Sequence, residues 1–205
     1  MAPIVGVIIS YLAGSIPSAY IAGKLRGVDL RKHGSGNLGA TNVARVLGAK
    51  TGAVVFIADL LKGFLPVYFL PIYFAPPQNR AVWALVYGVA AIAGHVKPIF
   101  LLGKGGGKGV ATASGVFLAL AFVPMLVSEV VWIVTFTFTR YVSLASLLGA
   151  AVLPIAILAW YRDPQSPVFI ASVMITAFVF WTHRANIGRL RRGQEHRFVK
   201  KESET

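Results

Sequence analysis

Gly103-Lys104-Gly105-Gly106-Gly107-Lys108-Gly109 lies between two apolar segments, one ending near Leu101 and one starting at Val110. Its reading decides the fold. It holds five glycines and two lysines, a flexible cationic turn whose amides carry no side-chain shield. Irregular backbone facing lipid leaves N–H and C=O groups unpaired, at a cost on the order of several kcal/mol each. If the flanking segments cross a membrane, this turn must line a cavity or mark the membrane edge. Bare amides beside lysines suit an anion, and phosphate above all. The plain alternative is a hairpin loop whose two charges only orient the helices.

Composition supports the membrane reading. Of 205 residues, 56% are hydrophobic and 13% charged, where soluble domains carry about 25% charged residues. Uncharged runs recur at the spanning length of ~17–25 residues. One multi-pass domain over residues 1–205 is expected. The absence of cysteine excludes a disulfide framework and a cysteine zinc site. The net charge of +13 is uneven, so topology and anionic headgroups explain it better than nucleic acid. The first 23 residues carry no charge and lack the positive start of a signal peptide, so they read as a retained helix.

Working outward, seven apolar segments emerge. The first, about Pro3 to Gly23, contains Pro17, which breaks or kinks a helix. The second, Thr51 to Phe74, carries Asp59 and Lys62 at i,i+3, where they can pair on one face. A lone charge at the bilayer centre costs ~2.5–3.5 kcal/mol, so both should face protein or the interface. The third runs from Ala81 to Leu101. Val110 to Thr139 is too long for one span: 30 residues reach about 45 Å against a core of ~30 Å. Two short helices hinged near Pro124 are expected there, with Glu129 either near the far surface or buried with a partner. Leu144 to Tyr161 and Val168 to Thr182 complete the set. Arg184 to Thr205 holds seven of the 20 basic residues and reads as a basic, soluble cytoplasmic tail. The expected fold is an all-α integral membrane protein with about seven transmembrane helices, two of them short. Lys24 to Lys50, Lys104 to Lys108, Arg140 and the tail fall on one side, with Arg80 and Arg162 on the other. The basic side is therefore cytoplasmic and the N-terminus outside.

Four polar clusters share that basic side. The first is Ser35-Gly36-Asn37 with Asn42 and Arg45. Ser35 or Asn37 would cap the short helix that follows, whose start offers free amides and positive dipole to an anion. The second is the glycine-lysine turn itself. The third is Arg140 with Ser143, and the fourth is His183-Arg184-Ala185-Asn186-Ile187-Gly188-Arg189. Structural readings exist for each: a capped connector, an interfacial arginine, a polar helix end. His95 reads as a buried structural histidine. Gly34-x-Gly36-x-x-Gly39 imitates a dinucleotide fingerprint, but no strand precedes it. The second cluster is no Walker loop, because Ser or Thr is missing after Lys108. No serine-histidine-carboxylate triad forms, and carboxylates are nearly absent from this side. The inventory is one of donors, which binds phosphates and stabilises developing negative charge. His183 is the one evident base. An enzyme built this way needs an already activated substrate. A phosphate or organophosphate transporter is the rival from another class, although the clusters lie on one side and no inverted repeat is visible.

Six stretches, in order, resemble the bacterial acyl-phosphate-dependent glycerol-3-phosphate acyltransferases. They are Gly14-Ser15-Ile16-Pro17-Ser18-Ala19-Tyr20, Ser35 to Asn42, Asp59-Leu60-Leu61-Lys62-Gly63, Gly94-His95-x-x-Pro98, Gly106 to Thr112, and His183-Arg184-x-Asn186. The resemblance implies a multi-pass enzyme of the bacterial inner membrane with its active site facing the cytoplasm. It implies transfer of a fatty acyl group from acyl-phosphate to the sn-1 hydroxyl of glycerol 3-phosphate, without metal or organic cofactor. Implied partners are both substrates, membrane lipid and the soluble or peripheral enzyme that makes acyl-phosphate. Ser35, Lys104, His183 and Asn186 are the implied catalytic residues. Gly36, Asn37, Asn42, Arg45, Gly106, Gly107, Lys108 and Ser143 are the implied substrate-binding ones. The family pattern carries one glycine fewer in the second cluster, so the roles of Lys104 and Lys108 stay open.

Overall fold

The computed structural model describes residues 2–198. Within them the chain forms only helices and turns. α1 (Ala2–Ser15) and α2 (Ser18–Leu25) are one apolar stretch broken at Ile16-Pro17, as the missing proline N–H requires. α3 (Ala40–Leu47) is short and amphipathic, and α4 (Ala49–Phe74) follows after Gly48. α5 is Arg80–Val96, extended by a 3-10 turn at Ile99–Leu101. α6 (Val110–Leu120) leaves the glycine-lysine turn. α7 (Phe122–Thr139), α8 (Val142–Tyr161), α9 (Pro167–Thr182) and α10 (Arg184–Arg191) complete the order.

Five helical stretches are long and apolar enough to cross a membrane: 2–25, 49–74, 77–101, 122–139 and 142–161. α9 reaches that standard only together with α10, from which it is bent by 61°. α6 has 11 residues, about 17 Å at 1.5 Å per residue and half a bilayer core. The expected hinge at Pro124 is displaced. The break falls at Ala121, whose φ of −147° leaves the helical region, and Pro124 sits inside the first turn of α7, where a proline loses no hydrogen bond. α7 is consequently a full-length helix of 18 residues and not a short one.

Lipid provides no hydrophobic drive between helices, so close approach of backbones must supply the packing. α1 meets α5 this way: a Cβ on Gly14 would collide with the Ala91 carbonyl, and one on Gly94 with the Tyr11 carbonyl. α4 meets α6 by the same device, Gly63 against the Thr112 carbonyl and Gly115 against the Leu60 carbonyl. An apolar core of Val67, Val116, Phe117, Met125, Leu153 and Ile157 joins α4 and α6–α8. Inside the bundle Asp59 and Lys62 do pair, at 2.8 Å, both nearly fully buried. Lys62 Nζ also donates to the Ile16 carbonyl at 3.0 Å, tying α4 to the break between α1 and α2.

The basic segment after α9 does not extend away from the bundle. α10 turns off α9 by 61°, Gly193 turns with φ of 66°, and the following chain packs at the helix ends. The Phe198 N–H donates to the Arg140 carbonyl at 2.8 Å, and Arg197 Nε donates to the Tyr141 hydroxyl at 3.2 Å. The rest of the expected tail, 199–205, lies outside the described residues.

Candidate active site

The helix ends at this face gather residues from five separate parts of the chain. α3 supplies Arg45. It begins at Ala40 with Gly39 as its cap and no side-chain capping bond, so neither Ser35 nor Asn37 caps it as expected. Asn42 does that holding work instead. Its Oδ1 accepts from the Ser35 N–H at 2.8 Å, and its Nδ2 donates to the carbonyls of Leu30 (3.2 Å) and His33 (3.1 Å). Asn42 is fully buried and both its donors are used, so it shapes the 34–39 loop. Gly36 turns that loop with φ of 70°. Ser35 is exposed, and Gly36 and Asn37 are half-buried.

The glycine-lysine turn packs against this loop, with Leu38 beside Gly105 and Gly107. None of residues 105–109 donates a backbone hydrogen bond among the described residues. Gly109 (φ 82°) then starts α6, whose first amides point into the same end of the bundle. Lys108 is half-buried and its Nζ donates to Asn186 Oδ1. Burial holds its ammonium down at about 8; Glu195 opposes that shift, and Arg189 and Arg45 add to it. Lys104 is exposed, and its side chain forms no hydrogen bond or ion pair among the described residues. The structure therefore brings Lys108 into the cluster and leaves Lys104 outside it.

His183 and Asn186 come from the α9–α10 bend. Asn186 stands one turn into α10, buried. His183 Nδ1 lies 2.8 Å from the Val179 carbonyl. A carbonyl can only accept, so Nδ1 carries the proton and Nε2 keeps its lone pair. Burial and the Lys108 charge push this imidazole down to about 4, so it is neutral near pH 7. Ser143 projects from the first turn of α8.

Sequence reading missed the residue that ties these together. Glu195 Oε1 accepts from Ser143 Oγ at 2.9 Å and from Asn186 Nδ2 at 2.6 Å, while Oε2 accepts from Arg189 Nε at 2.7 Å. These donors hold its carboxyl below the usual range despite burial. Arg45 Nη2 reaches the adjacent His196 carbonyl at 3.3 Å. The available signal was a lone acid in a strongly basic stretch, two residues after a turn glycine. So the site does contain a carboxylate, contrary to the all-donor inventory. It is engaged by structure: three donors bind it, and among the described residues Arg45 and Lys108 bond only neutral oxygens and form no ion pair.

The fold and site together define an all-helical membrane protein with a cluster of cationic and amide side chains at one end of its bundle. Residues 4–193 match the family described as glycerol-3-phosphate acyltransferase. A glycerol-3-phosphate acyltransferase of Trichlorobacter lovleyi is 46% identical over 189 residues, 92% of this chain and 94% of that protein. The crystal structure of PlsY, an integral membrane glycerol 3-phosphate acyltransferase, in its glycerol 3-phosphate form is similar with a TM-score of 0.87. It is 41% identical and the match covers 97% and 96% of the two chains. Its lysophosphatidic acid form gives 0.83 at 40% identity. The chain belongs to the glycerol-3-phosphate acyltransferase family and is an integral membrane acyltransferase.

Proposed function

We propose that this protein transfers a fatty acyl group from acyl-phosphate to the sn-1 hydroxyl of glycerol 3-phosphate, releasing lysophosphatidic acid and inorganic phosphate. The observation that carries the proposal is the meeting of Arg45, Lys108, His183 and Asn186 around a carboxylate already bound by three donors. Such a pocket has cations and amides for two phosphates, and nothing in it activates a weak acyl donor. Acyl-phosphate is a mixed anhydride and brings its own leaving group.

Ser35, Gly36 and Asn37 with Gly106, Gly107 and Lys108 hold the acyl-phosphate head. Arg45, His183 and Asn186 hold glycerol 3-phosphate, and Ser143 acts through Glu195, which keeps Asn186 oriented. Lys108 takes the role first divided between two lysines. The glycerol hydroxyl oxygen attacks the acyl carbon. The bond from that carbon to the phosphate oxygen breaks, and phosphate leaves with its electron pair. His183 Nε2 accepts the hydroxyl's hydrogen bond and orients it, but so weak a base does not keep the proton. The departing phosphate takes it. Orientation and cationic stabilisation supply the acceleration. The basic face is cytoplasmic by the excess of Lys and Arg in its loops, and the membrane is the bacterial inner membrane.

The test is purified protein with radiolabelled glycerol 3-phosphate and palmitoyl-phosphate, with palmitoyl-CoA in a parallel reaction. Labelled lysolipid from palmitoyl-phosphate alone is expected. Equal or greater product from palmitoyl-CoA would reject the proposed donor.

A further inference from the structure

The glycine-lysine turn is anchored only at its start, where the Gly103 and Lys104 N–H groups donate to the Pro98 and Leu101 carbonyls at 2.9 Å each. Among the described residues, 105–109 donate no backbone hydrogen bonds, and the glycines there have no side chains to pack. Yet Lys108 must stand at one place to meet Asn186. Something else sets the turn's position.

What lies beneath it is the C-terminal end of α5. Gly106 rests on backbone: a Cβ there would collide with the Val96 carbonyl and lie 2.6 Å from the His95 carbonyl. Gly107 rests on a side chain. A Cβ there would collide with His95 Nε2 and lie 2.8 Å from His95 Cε1, with the Leu38 carbonyl next at 3.1 Å. The φ of Gly107 is not in the left-handed region, so contact and not backbone geometry demands glycine here. The His95 ring is itself enclosed. It is 6% exposed, and its Nδ1 lies 3.8 Å from Asp59 Oδ1, whose carboxylate is paired to Lys62 and through it to the Ile16 carbonyl. Nδ1 has no hydrogen-bond partner. A buried polar ring left partly unsatisfied is costly, which argues for a task beyond filling space.

We propose that His95 is a positioning residue: its buried imidazole is the floor on which Gly107 rests and so fixes where Lys108 stands. The inference rests on the reading of the turn as a phosphate-binding element. It adds a residue that touches no substrate and acts through the loop.

A double-mutant cycle tests it on the full-length protein, with KM and kcat measured separately. In the wild-type background, Gly107→Ala pushes the turn off the ring. It should raise KM for glycerol 3-phosphate or the acyl donor about tenfold or more, since misplacement by ~1 Å carries penalties of that order. In the His95→Ala background the space is open, and adding Gly107→Ala should change KM by no more than about twofold, the signature of a coupled pair. His95→Gln keeps a long side chain there, so it should give no relief. Where His95→Ala does not purify folded, His95→Ser serves the same cycle. Equal KM penalties for Gly107→Ala in both backgrounds would overturn the coupling while the phosphate-loop reading stands. An unchanged KM for Gly107→Ala in the wild type would defeat that reading, and this inference with it.

Discussion

Two polar regions of this protein hold a lysine near a carboxylate, and they do opposite things. In the bundle interior Lys62 is paired with Asp59 at 2.8 Å and also bound to the Ile16 carbonyl. Its charge is used up inside the fold. At the helix ends Lys108 binds only the neutral amide of Asn186, because Glu195 is already occupied by Ser143, Asn186 and Arg189. Its charge is left over for a ligand. The difference lies in what else the neighbouring carboxylate binds, and not in the presence of charge. A burial pattern alone would not separate a structural lysine from a catalytic one.

The largest effect should come from breaking the interior pair. Lys62→Ala leaves Asp59 buried without a partner and should lower stability by about 3–5 kcal/mol, read as a drop in melting temperature in detergent. The double variant Asp59→Asn/Lys62→Met removes both charges, keeps similar volume and should lose much less. Next comes Lys108→Ala, which should cut kcat/KM by about 10²–10³-fold, the scale of losing one stabilising charge in a reaction site. Its melting temperature should barely move. A variant that is active but unstable would exchange the roles assigned to the two lysines.

The pH profile sharpens the same contrast. Lys108 titrates at about 8, so its cation is present below that value and lost as pH rises through it. The kcat/KM profile should fall above pH 8, about tenfold per unit at the limit. Lys108→Arg keeps its charge to far higher pH, so its profile should lack that limb, whatever activity remains. The smallest effect is expected at Lys104. It is exposed and makes no side-chain contact among the described residues, so Lys104→Ala should change kcat/KM by no more than about threefold, within the range of a screened surface charge.

Much of the bundle was legible in the sequence because lipid imposes strict lengths. The apolar runs, the Pro17 break and the Asp59–Lys62 pair all follow from short-range rules, and the structure has them. The hinge near Pro124 was misplaced because a proline in a first turn starts a helix as readily as it ends one. The site was legible as a set of donor-rich stretches, since their residue types already specify an anion. Its internal order was not. Which lysine enters the pocket depends on where Gly107 meets His95, two segments whose contact no local pattern records. Asn42 reads in sequence as a ligand, and the structure shows a further task that spacing does not record: it bonds the Ser35 N–H and the Leu30 and His33 carbonyls. Glu195 was hidden because a returning strand of chain after Gly193 brings it 52 positions away from its partner Ser143. A reading by spacing sees only a charged tail.

The central claim is that the pocket at the helix ends, and not the interior pair, holds phosphate. Thermal protection by glycerol 3-phosphate tests it most directly, measured on the wild type, Lys108→Ala and Asp59→Asn/Lys62→Met. The account predicts a ligand-dependent rise in melting temperature for the wild type and for the double variant, and none for Lys108→Ala. Full protection of Lys108→Ala, or its loss in a folded Asp59→Asn/Lys62→Met protein, would contradict it.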